Sequence, residues 1–472
     1  MPSAFNVNNA PSDRSQPRYR SALVWLHNDL RLHDNPTLVS AATQSERLTV
    51  IYIIDPEQFR PSRYQARPMG KPRWRFIQQA LADVSAQLQQ RKQRLIIRVG
   101  QPLQVMQQLL GSHNFDAIFS SEHPGWYEQE RWRLLSKRYP FIEWQKIHSH
   151  TLFSPSQLPF SIAELPGQFT QFRKQLERLA ELPVTAPLPP PVTLPPPVAG
   201  IASDAPPAAI ADYATPDPYD QSVFQGGEAA AIAHVEQYFA GRFASTYKET
   251  RNALDDWFSS TKFSPWLAQG CLSPRWLYAR LRRYEQEVEA NESTYWIVFE
   301  LLWREYFQWY AHQHGVQLFK FRGIKNHSPQ TSFYPARLAQ WCSGTTPYPI
   351  VNACMKQLNA TGYMSNRGRQ LVASCFVHEL GLDWRYGAAY FEQQLVDYDV
   401  ASNWGNWQYL AGVGADPRGH RQFNLSKQTE MYDPKLSFIT RWQGSASSGG
   451  IDQVDAADWP ITNQDNKPPR SS

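Results

Sequence analysis

Residues 23–38 have the sequence LVWLHNDLRLHDNPTL, an apolar run followed by a polar turn and then by the start of a helix after Asn35 and Pro36. Short apolar runs bounded by such turns are typical of buried parallel strands. Four more runs follow, with helical stretches between them, at residues 48–54, 95–99, 117–120 and 142–147. This alternation predicts a five-stranded parallel, doubly wound α/β domain over residues 21–182. Such domains bind ligands beyond the carboxyl ends of their strands.

The remainder of the chain differs in composition from this first part. Twelve Pro fall between residues 183 and 218, and because Pro favours extended chain, residues 183–226 are predicted to form an interdomain linker. Its PxxP pattern also fits a ligand of SH3-type domains. Residues 227–442 show helical spacing and predict an all-helical domain. Residues 1–20 and 443–472 are polar and predict a flexible and a disordered tail, with a transit peptide as the alternative for the first.

The composition excludes several classes of protein. The 472 residues carry 47 Lys and Arg against 42 Asp and Glu, and this net charge of +5 permits a nucleic-acid partner. No apolar run approaches the roughly 18 residues of a membrane span. The four Cys show no CxxC spacing, so neither a zinc module nor a disulfide framework is predicted, and a reduced compartment is expected. That compartment is the cytoplasm for a bacterial chain, whereas an organelle or the nucleus stays open for a eukaryotic one.

The common catalytic motifs are missing from the sequence. It contains no GxxxxGK(S/T), no HExxH and no GxSxG. Asp397 and Asp399 are two residues apart and would not share a helix face, so they make a weak acid/base pair. An organic cofactor is therefore expected to supply the chemistry.

Two clusters of basic residues lie in the predicted helical domain, and three aromatic residues nearby are candidates for exposed loops. They are Arg275, Arg280, Arg282 and Arg283; Lys356, Arg367 and Arg369; and Trp404, Trp407 and Tyr409. Each cluster alone is more typical of a solvated face. Together they predict a surface that follows phosphates and stacks bases.

Several long blocks resemble one known family. TYKETRNALDDWFSSTKFSPWLA at 246–268, STYWIVFELLWREYF at 293–307, TGYMSNRGRQLVAS at 361–374 and DYDVASNWGNWQYLAGVG at 397–414 are similar to the flavin domain of the photolyase/cryptochrome family. The opening stretch at 23–38 resembles the first strand and turn of that family. LPFSIAELPGQFTQFRKQLE at 158–177 is more similar to the DASH branch than to the others. The resemblance extends from about residue 22 to residue 442.

The resemblance implies a folded FAD inside the helical domain. The positions that match the cofactor site of the family are Tyr247, Ser260, Thr261, Lys262, Phe263, Ser264, Glu300, Arg304, Asn366, Asp397, Asp399 and Asn403. In this assignment residues 260–264 form the phosphate loop, and Arg304 lies at the polar side of the flavin. Asp397 and Asp399 accept hydrogen bonds from ring and ribose, and Asn366 lies at the adenine. Asn403 faces flavin N5, where its neutral amide would permit a reduced, anionic flavin.

The resemblance also implies a site for damaged DNA. Glu300 and Trp303 match the acid and the aromatic wall of the pocket that receives a flipped pyrimidine, and three residues apart they share a helix face. With Asn403 they are the implied catalytic residues. The implied DNA contacts are Arg251, Trp303, Arg367, Arg369 and Arg421.

Two further features follow from the same resemblance. Trp407 and Trp384 match the inner and middle members of an electron relay, but the outer position falls near Thr331, where Phe333 and Tyr334 are the nearest aromatics. The family commonly carries 5,10-methenyltetrahydrofolate as an antenna, and Glu122 matches a residue that helps to hold it. The alternative for Glu122 is an ordinary surface carboxylate.

The implied activity is that of a deoxyribodipyrimidine photo-lyase. Such an enzyme of the DASH type would act as a monomer and use FAD and blue light to split cyclobutane pyrimidine dimers in single-stranded or looped DNA, with RNA as a further candidate partner. One alternative is a blue-light photoreceptor that signals through protein or nucleic-acid partners without repair. Another is a nucleic-acid-binding flavoprotein without turnover.

Overall fold

The computed structural model describes residues 17–211, 213, 221–417 and 421–447. The predictions for most of the first tail, for part of the linker and for most of the last tail lie outside these residues. Within them, no helix combines the length and the apolar character that a membrane span needs.

The first part of the chain is a five-stranded parallel sheet with helices between the strands, as predicted. Its strands are β1 (Tyr19–Leu26), β2 (Ser45–Ile54), β3 (Leu95–Val99), β4 (Ala117–Ser121) and β5 (Glu143–Ile147), in the order β3-β2-β1-β4-β5. Its helices are α1 (Pro36–Gln44), α2 (Lys71–Gln90), α3 (Pro102–Ser112), α4 (Trp126–Arg138) and α5 (Phe169–Leu176). The strand order reverses between β1 and β4, which places a crevice at the carboxyl ends of these two strands.

The first strand begins earlier than its apolar run. Tyr19 and Arg20 belong to β1, although both fall in the predicted flexible tail. The cause is a carboxylate distant in sequence, because Asp116 accepts hydrogen bonds from the backbone N–H groups of Arg20 and Ser21 at 2.9 and 3.0 Å. The local sequence around Tyr19 and Arg20 does not indicate this contact, because Asp116 is distant along the chain.

Each face of the sheet has its own core. Leu23 and Ile118 pack on one face against apolar residues of α3 and α4. Val24 and Val50 face the other way, in a core that includes Trp74 of α2 and continues into the helical part of the molecule. Burial on both faces explains why the central strands have nearly continuous apolar sequences.

The second part of the chain is helical, as predicted. Its helices are α6 (Ala208–Ala211), α7 (Glu228–Ala240), α8 (Tyr247–Thr250), α9 (Ser264–Ala268), α10 (Pro274–Glu287), α11 (Glu292–His314), α12 (Pro335–Ser343), α13 (Pro349–Thr361), α14 (Asn366–Ser374), α15 (Trp384–Gln394), α16 (Val400–Leu410), α17 (Leu425–Tyr432) and α18 (Ser437–Arg441). Helix α11 is the longest of them, and its side chains reach several parts of the candidate site described below.

The Pro-rich segment lies against the α/β part instead of acting as a free spacer. The backbone N–H of Leu48 donates to the carbonyl of Pro196 at 3.0 Å, and the N–H of Asp204 donates to Ile97 at 2.8 Å. Arg91 Nε donates to the carbonyl of Pro191 at 2.7 Å. Pro has no N–H but keeps its carbonyl, so a Pro-rich chain can still accept hydrogen bonds from a neighbouring surface.

The loop after β1 joins the two parts of the molecule through a buried arginine. Arg31 is 1% exposed, and its guanidinium donates to the carbonyls of Gly270 at 2.8 Å and Ser149 at 2.7 Å. Next to it, Asp34 accepts two hydrogen bonds from Arg275 at 2.8 and 2.9 Å. Burial alone would raise the pKa of Asp34, but Arg275 lowers it below its usual value. Within the interface, carbonyl oxygens therefore accept the hydrogen bonds of Arg31, and the charge of Asp34 is paired with that of Arg275.

We expect Arg31→Met to lower the free energy of unfolding by about 3 kcal/mol or more, because it leaves several buried carbonyls without a donor. Thermal unfolding measures the change. Arg60→Met is the control, because Arg60 is 70% exposed in its pair with Glu57, and its loss should cost less than about 1 kcal/mol. An unchanged midpoint for Arg31→Met would show that the interface does not depend on this side chain.

Candidate active site

A cavity of about 200 Å³ lies in the helical part, between α8, α9, α11 and the start of α16. Its lining residues are Tyr247, Thr261, Phe263, Ser264, Leu267, Ala268, Ile297, Glu300, Leu301, Arg304, Arg369, Asp397, Asp399 and Ser402. Most of the positions predicted for the cofactor therefore come together around one cavity. The volume of the cavity lies below the roughly 300–1,000 Å³ of typical ligand sites.

One wall of the cavity is organised by a buried ion pair. Arg369 on α14 donates to both oxygens of Asp397, at 3.0 and 2.8 Å, and the Asp397 side chain is 2% exposed. Burial lowers the pKa of Arg369, but Asp397 and Tyr363 together raise it, so the net shift of this pKa is upward. The pairing does not favour the phosphate contact predicted for Arg369, because this guanidinium is committed to the cavity wall.

Asp399 lines the same cavity from the start of α16. It caps this helix by accepting a hydrogen bond from the N–H of Ser402 at 2.7 Å, and Gln308 donates to both of its oxygens at 3.0 Å. Asp397 and Asp399 face one cavity because they precede the helix. The helix-face argument against a carboxylate pair does not apply to residues in a loop.

The predicted phosphate loop lies at another side of the cavity. Thr261 and Ser264 line it, while Lys262 donates to the hydroxyl of Ser260 at 2.7 Å beside it. Lys262 has a φ of +53°, which turns the chain sharply at this point. The loop thus presents hydroxyl groups and one ammonium group close together.

Three other predicted positions have different environments. Arg304 on α11 lines the cavity and is fixed by the carbonyls of His150 at 2.6 Å and Leu267 at 3.4 Å. Asn403 is buried one turn into α16 and donates to the carbonyl of Ala388 at 3.0 Å. Asn366 is exposed at the start of α14 and does not line the cavity.

The donor set of the cavity fits a flavin dinucleotide. Phosphates need hydrogen-bond donors, and the hydroxyls of the 260–264 loop provide them, while Arg304 adds a cation suited to the polar side of the flavin. Ribose hydroxyls and ring N–H groups need acceptors, and the two carboxylates provide those. The rings of Tyr247 and Phe263 and the apolar side chains of α11 add the surface on which a flat ring system packs.

Glu300 connects this cavity to the outer face of α11. Its carboxyl lines the cavity and forms an ion pair with Arg251, whose guanidinium lies 4.4 Å over the ring of Trp296. Burial raises the pKa of Glu300 above its usual value, although Arg251 lowers it. Among the residues predicted from sequence, Glu300 is thus in contact with both a cofactor-side and a DNA-side position.

One turn further along α11, Trp303 faces an aromatic residue that the sequence analysis did not assign to the site. The ring of Tyr409 lies 6.1 Å from that of Trp303 at 81°, and Arg421 lies 4.4 Å over Tyr409. Arg421 also pairs with Asp416 at 2.8 Å. Tyr409 was one of three predicted exposed aromatics. The other two, Trp404 and Trp407, are buried, Tyr409 is half-buried, and all three lie on helix α16. The expectation of exposed loop aromatics is therefore wrong.

The predicted phosphate-following surface is wrong for the first basic cluster. Arg275 pairs with Asp34, Arg280 with Glu236, Arg282 with Glu285, and Arg283 with Glu287. Acids that are distant in sequence, or one helical turn away, thus neutralise the first cluster. In the second cluster, Arg367 donates to Asn252 at 3.2 Å and lies 4.6 Å over the ring of Tyr432.

The two candidate relay tryptophans each contact other aromatic rings in one shared core. The ring of Trp407 contacts those of Trp341 and Phe391, at 6.2 and 5.2 Å. Trp384 donates to the carbonyl of Phe321 at 3.0 Å and contacts Trp404 at 5.8 Å. Near the predicted outer position, Phe333 stacks on Tyr386 at 4.5 Å in a surface cleft that Thr331 also lines.

A larger cleft of about 580 Å³ lies between the sheet and the helical part. Its polar lining includes Asp55, His123, Glu128 and Arg131, and its aromatic lining includes Tyr64, Phe319, Tyr398 and Trp404. Burial raises the pKa of Glu392 in this cleft to about 7. Glu122, the predicted antenna residue, does not line the cleft and instead pairs with Lys146 at 2.9 Å.

Comparisons with known proteins show the family to which the sequence and the fold are similar. Residues 22–192 match the family model described as DNA photolyase, and residues 296–459 match the FAD binding domain of DNA photolyase. A cryptochrome DASH from Idiomarina loihiensis is 56% identical over 443 residues, which are 94% of this chain and 97% of that protein. The crystal structure of a Synechocystis cryptochrome matches with a TM-score of 0.84 and 40% identity, covering 90% of this chain and 88% of that chain. A class III photolyase from Agrobacterium tumefaciens matches with a TM-score of 0.76 and 25% identity, covering 91% and 88%.

We expect Asp397→Asn to lower FAD retention at least about tenfold, because it removes an acceptor from the cavity and leaves Arg369 unpaired. The ratio of flavin to protein absorbance after gel filtration measures retention. Asp383→Asn is the matched control, since Asp383 forms a similar pair with Arg385 outside the cavity. Equal FAD content in the two variants would contradict the assigned role of Asp397.

Proposed function

The chain belongs to the photolyase/cryptochrome family and to its DASH branch, and we propose that it is a light-driven enzyme that splits cyclobutane pyrimidine dimers in single-stranded or looped DNA. The observation that supports repair most directly is the position of Glu300. Its carboxyl lines the FAD cavity and touches Arg251, while Trp303 follows three residues later on the same helix. A base that stacks on Trp303 would therefore lie next to the cofactor.

In this proposal the chain's own residues position the lesion. The chemistry that bound, reduced FAD supplies is the light-driven donation of one electron. A flipped base would stack on Trp303 beside Tyr409, whose ring lies 6.1 Å from the indole and nearly perpendicular to it. Glu300 would form hydrogen bonds with the polar edges of the bases, and burial makes such bonds stronger than in water. Arg251 would remain close enough to contact the neighbouring phosphate.

The preference for single strands follows from the cost of flipping. A dimer within a duplex has to leave the stack, which costs on the order of a few kcal/mol, whereas an unpaired strand avoids most of this cost. The basic residues near the pocket include Arg251, Arg367 and Arg421, and each of them already has a partner in the protein. Few cations are thus left to offset the flipping of a paired base.

We propose further that electrons reach the flavin through Trp407 and Trp384. Trp407 lies one turn after Asn403 on α16, and the Nε1–H of Trp407 is buried without a hydrogen-bond partner among the described residues. The non-aromatic Thr331 at the outer position would limit the last step of this relay. Phe333 and Tyr386 form a stacked pair that lines the same surface cleft as Thr331.

The large cleft is the site that we propose for an antenna such as 5,10-methenyltetrahydrofolate. It has the volume of a typical ligand site, and its lining combines aromatic rings with carboxylates and guanidinium groups. Arg131 lies 3.5 Å from both Asp55 and Glu128 at its polar side. A flat heterocycle with an acidic tail fits such a mixed lining.

The proposed function predicts repair that depends on light and on strandedness. After illumination of the protein with a thymine-dimer oligonucleotide, we expect single-stranded and looped substrates to be repaired at similar rates, and a fully paired duplex at least about tenfold more slowly. Recovery of base absorbance measures repair, and a dark incubation is the control. Equal repair of the duplex would contradict the preference for single strands. Flavin reduction without repair of any substrate would favour the photoreceptor alternative.

The antenna proposal predicts release of a pterin when the purified protein is denatured, detected by its fluorescence. Because Glu128 lines the cleft and Glu122 does not, we expect Glu128→Gln to lower the pterin content more than Glu122→Gln. A larger loss with Glu122→Gln would restore the role predicted for Glu122 from sequence. Reproducible absence of a pterin would remove the folate from the proposal.

A further inference from the structure

We propose that Phe169 is a positioning residue of the lesion pocket, because its ring fixes the orientation of the Trp303 indole on which a flipped base would stack. This inference rests on the proposed function, since it concerns the same pocket. Phe169 is the first residue of α5, in the segment that leads from the α/β part to the linker, and it crosses to the helical part to reach Trp303.

The contact between the two rings is a close, nearly parallel stack. The ring centroids of Phe169 and Trp303 are 3.7 Å apart, and the planes are inclined by 13°. Phe169 is 5% exposed, whereas Trp303 is only half-buried. One face of the indole is therefore covered by Phe169, and the ring of Phe307 lies 5.7 Å away at 26°. A substrate base would meet the part of the indole that remains exposed. A stack of this kind also prevents rotation of the indole away from its plane.

Phe169 is itself held by other rings of α11. Its ring meets Phe299 at 5.2 Å and 83°, and Tyr306 at 6.0 Å and 70°. On the same helix as Phe169, Arg173 lies 5.5 Å over Phe299 and donates to the hydroxyl of Tyr295 at 2.8 Å. Helix α5 is thus attached along the outer face of α11, and Phe169 has little freedom to move when Trp303 is pushed.

The consequence concerns affinity for the lesion and not for DNA in general. A mobile indole would have to be ordered when a base stacks on it, and this ordering would subtract from the binding free energy. A Trp303 already fixed by Phe169 avoids that cost. Undamaged single strands bind mainly through phosphate contacts, which do not involve this stack. Phe169 should therefore affect discrimination between damaged and undamaged strands.

The test compares Phe169→Leu with Phe172→Leu. Phe172 lies one turn later on α5 and is fully buried. It contacts Phe160, Phe169 and Tyr306 at 5.8, 6.5 and 5.3 Å, and Trp303 is not among its ring contacts in the described residues. Each substitution removes one aromatic ring from the same helix and keeps most of the volume of the replaced side chain. The dissociation constants are measured in the dark for a single strand with one thymine dimer and for the same strand without it. FAD content and thermal midpoint verify folding.

We expect Phe169→Leu to weaken dimer binding about fivefold or more, the loss associated with a disturbed base stack, and to leave undamaged binding within about twofold. Phe172→Leu should leave both constants unchanged at a similar thermal midpoint, and Phe169→Tyr, which keeps the flat ring, should bind dimers like the wild type. If Phe169→Leu loses FAD, Phe169→Met takes its place.

The inference would be overturned if Phe169→Leu distinguished the dimer strand from the undamaged strand as well as the wild type does. An equal loss of dimer affinity in Phe172→Leu would also overturn it, because this loss would indicate a general packing effect. A wild-type protein that binds dimer and undamaged strand equally well would instead overturn the proposed function. The two failures are therefore distinguishable.

Discussion

The buried guanidinium of Arg31 is the constraint on which the relative position of the two parts of the molecule depends. A charge that is 1% exposed is tolerated only if its donors are satisfied, and the carbonyls that satisfy them come from both parts, at Ser149 and Gly270. A shift of one part against the other would break some of these hydrogen bonds and leave donors of the buried guanidinium without an acceptor. The interface also fixes contacts nearer the site, such as the bond from Arg304 to the carbonyl of His150.

Helix α11 brings cofactor-side and substrate-side residues together. Glu300, Trp303 and Arg304 occupy positions i, i+3 and i+4, so their side chains emerge on neighbouring parts of the helix surface. Arg304 lines the FAD cavity, Glu300 lies between cavity and surface, and Trp303 lies on the outer side. In the proposed function, a rigid helix that presents all three side chains would hold a lesion and a flavin at a fixed separation, which is the geometric requirement of electron transfer between them.

The sequence was sufficient for the architecture because alternating apolar runs and helices specify a doubly wound sheet. It was also sufficient for residues such as Thr261 and Asp397, which lie in long family-like blocks. The sequence was not sufficient to predict contacts between residues that are distant from each other in the chain. Asp34 neutralises Arg275 across the interface, and Tyr409 meets Trp303 only in the folded protein. Spacing along one element cannot predict such contacts.

The central claim is that Glu300 acts on the lesion and not merely on binding, and flash illumination at saturating single-stranded substrate tests it most directly. Glu300→Ala is compared with Glu292→Ala, on the same helix but exposed and paired with Lys248. The account predicts that Glu300→Ala lowers the number of dimers split per flash about tenfold or more, while dark affinity changes less than about threefold and Glu292→Ala changes neither. Wild-type yield in Glu300→Ala would contradict the account.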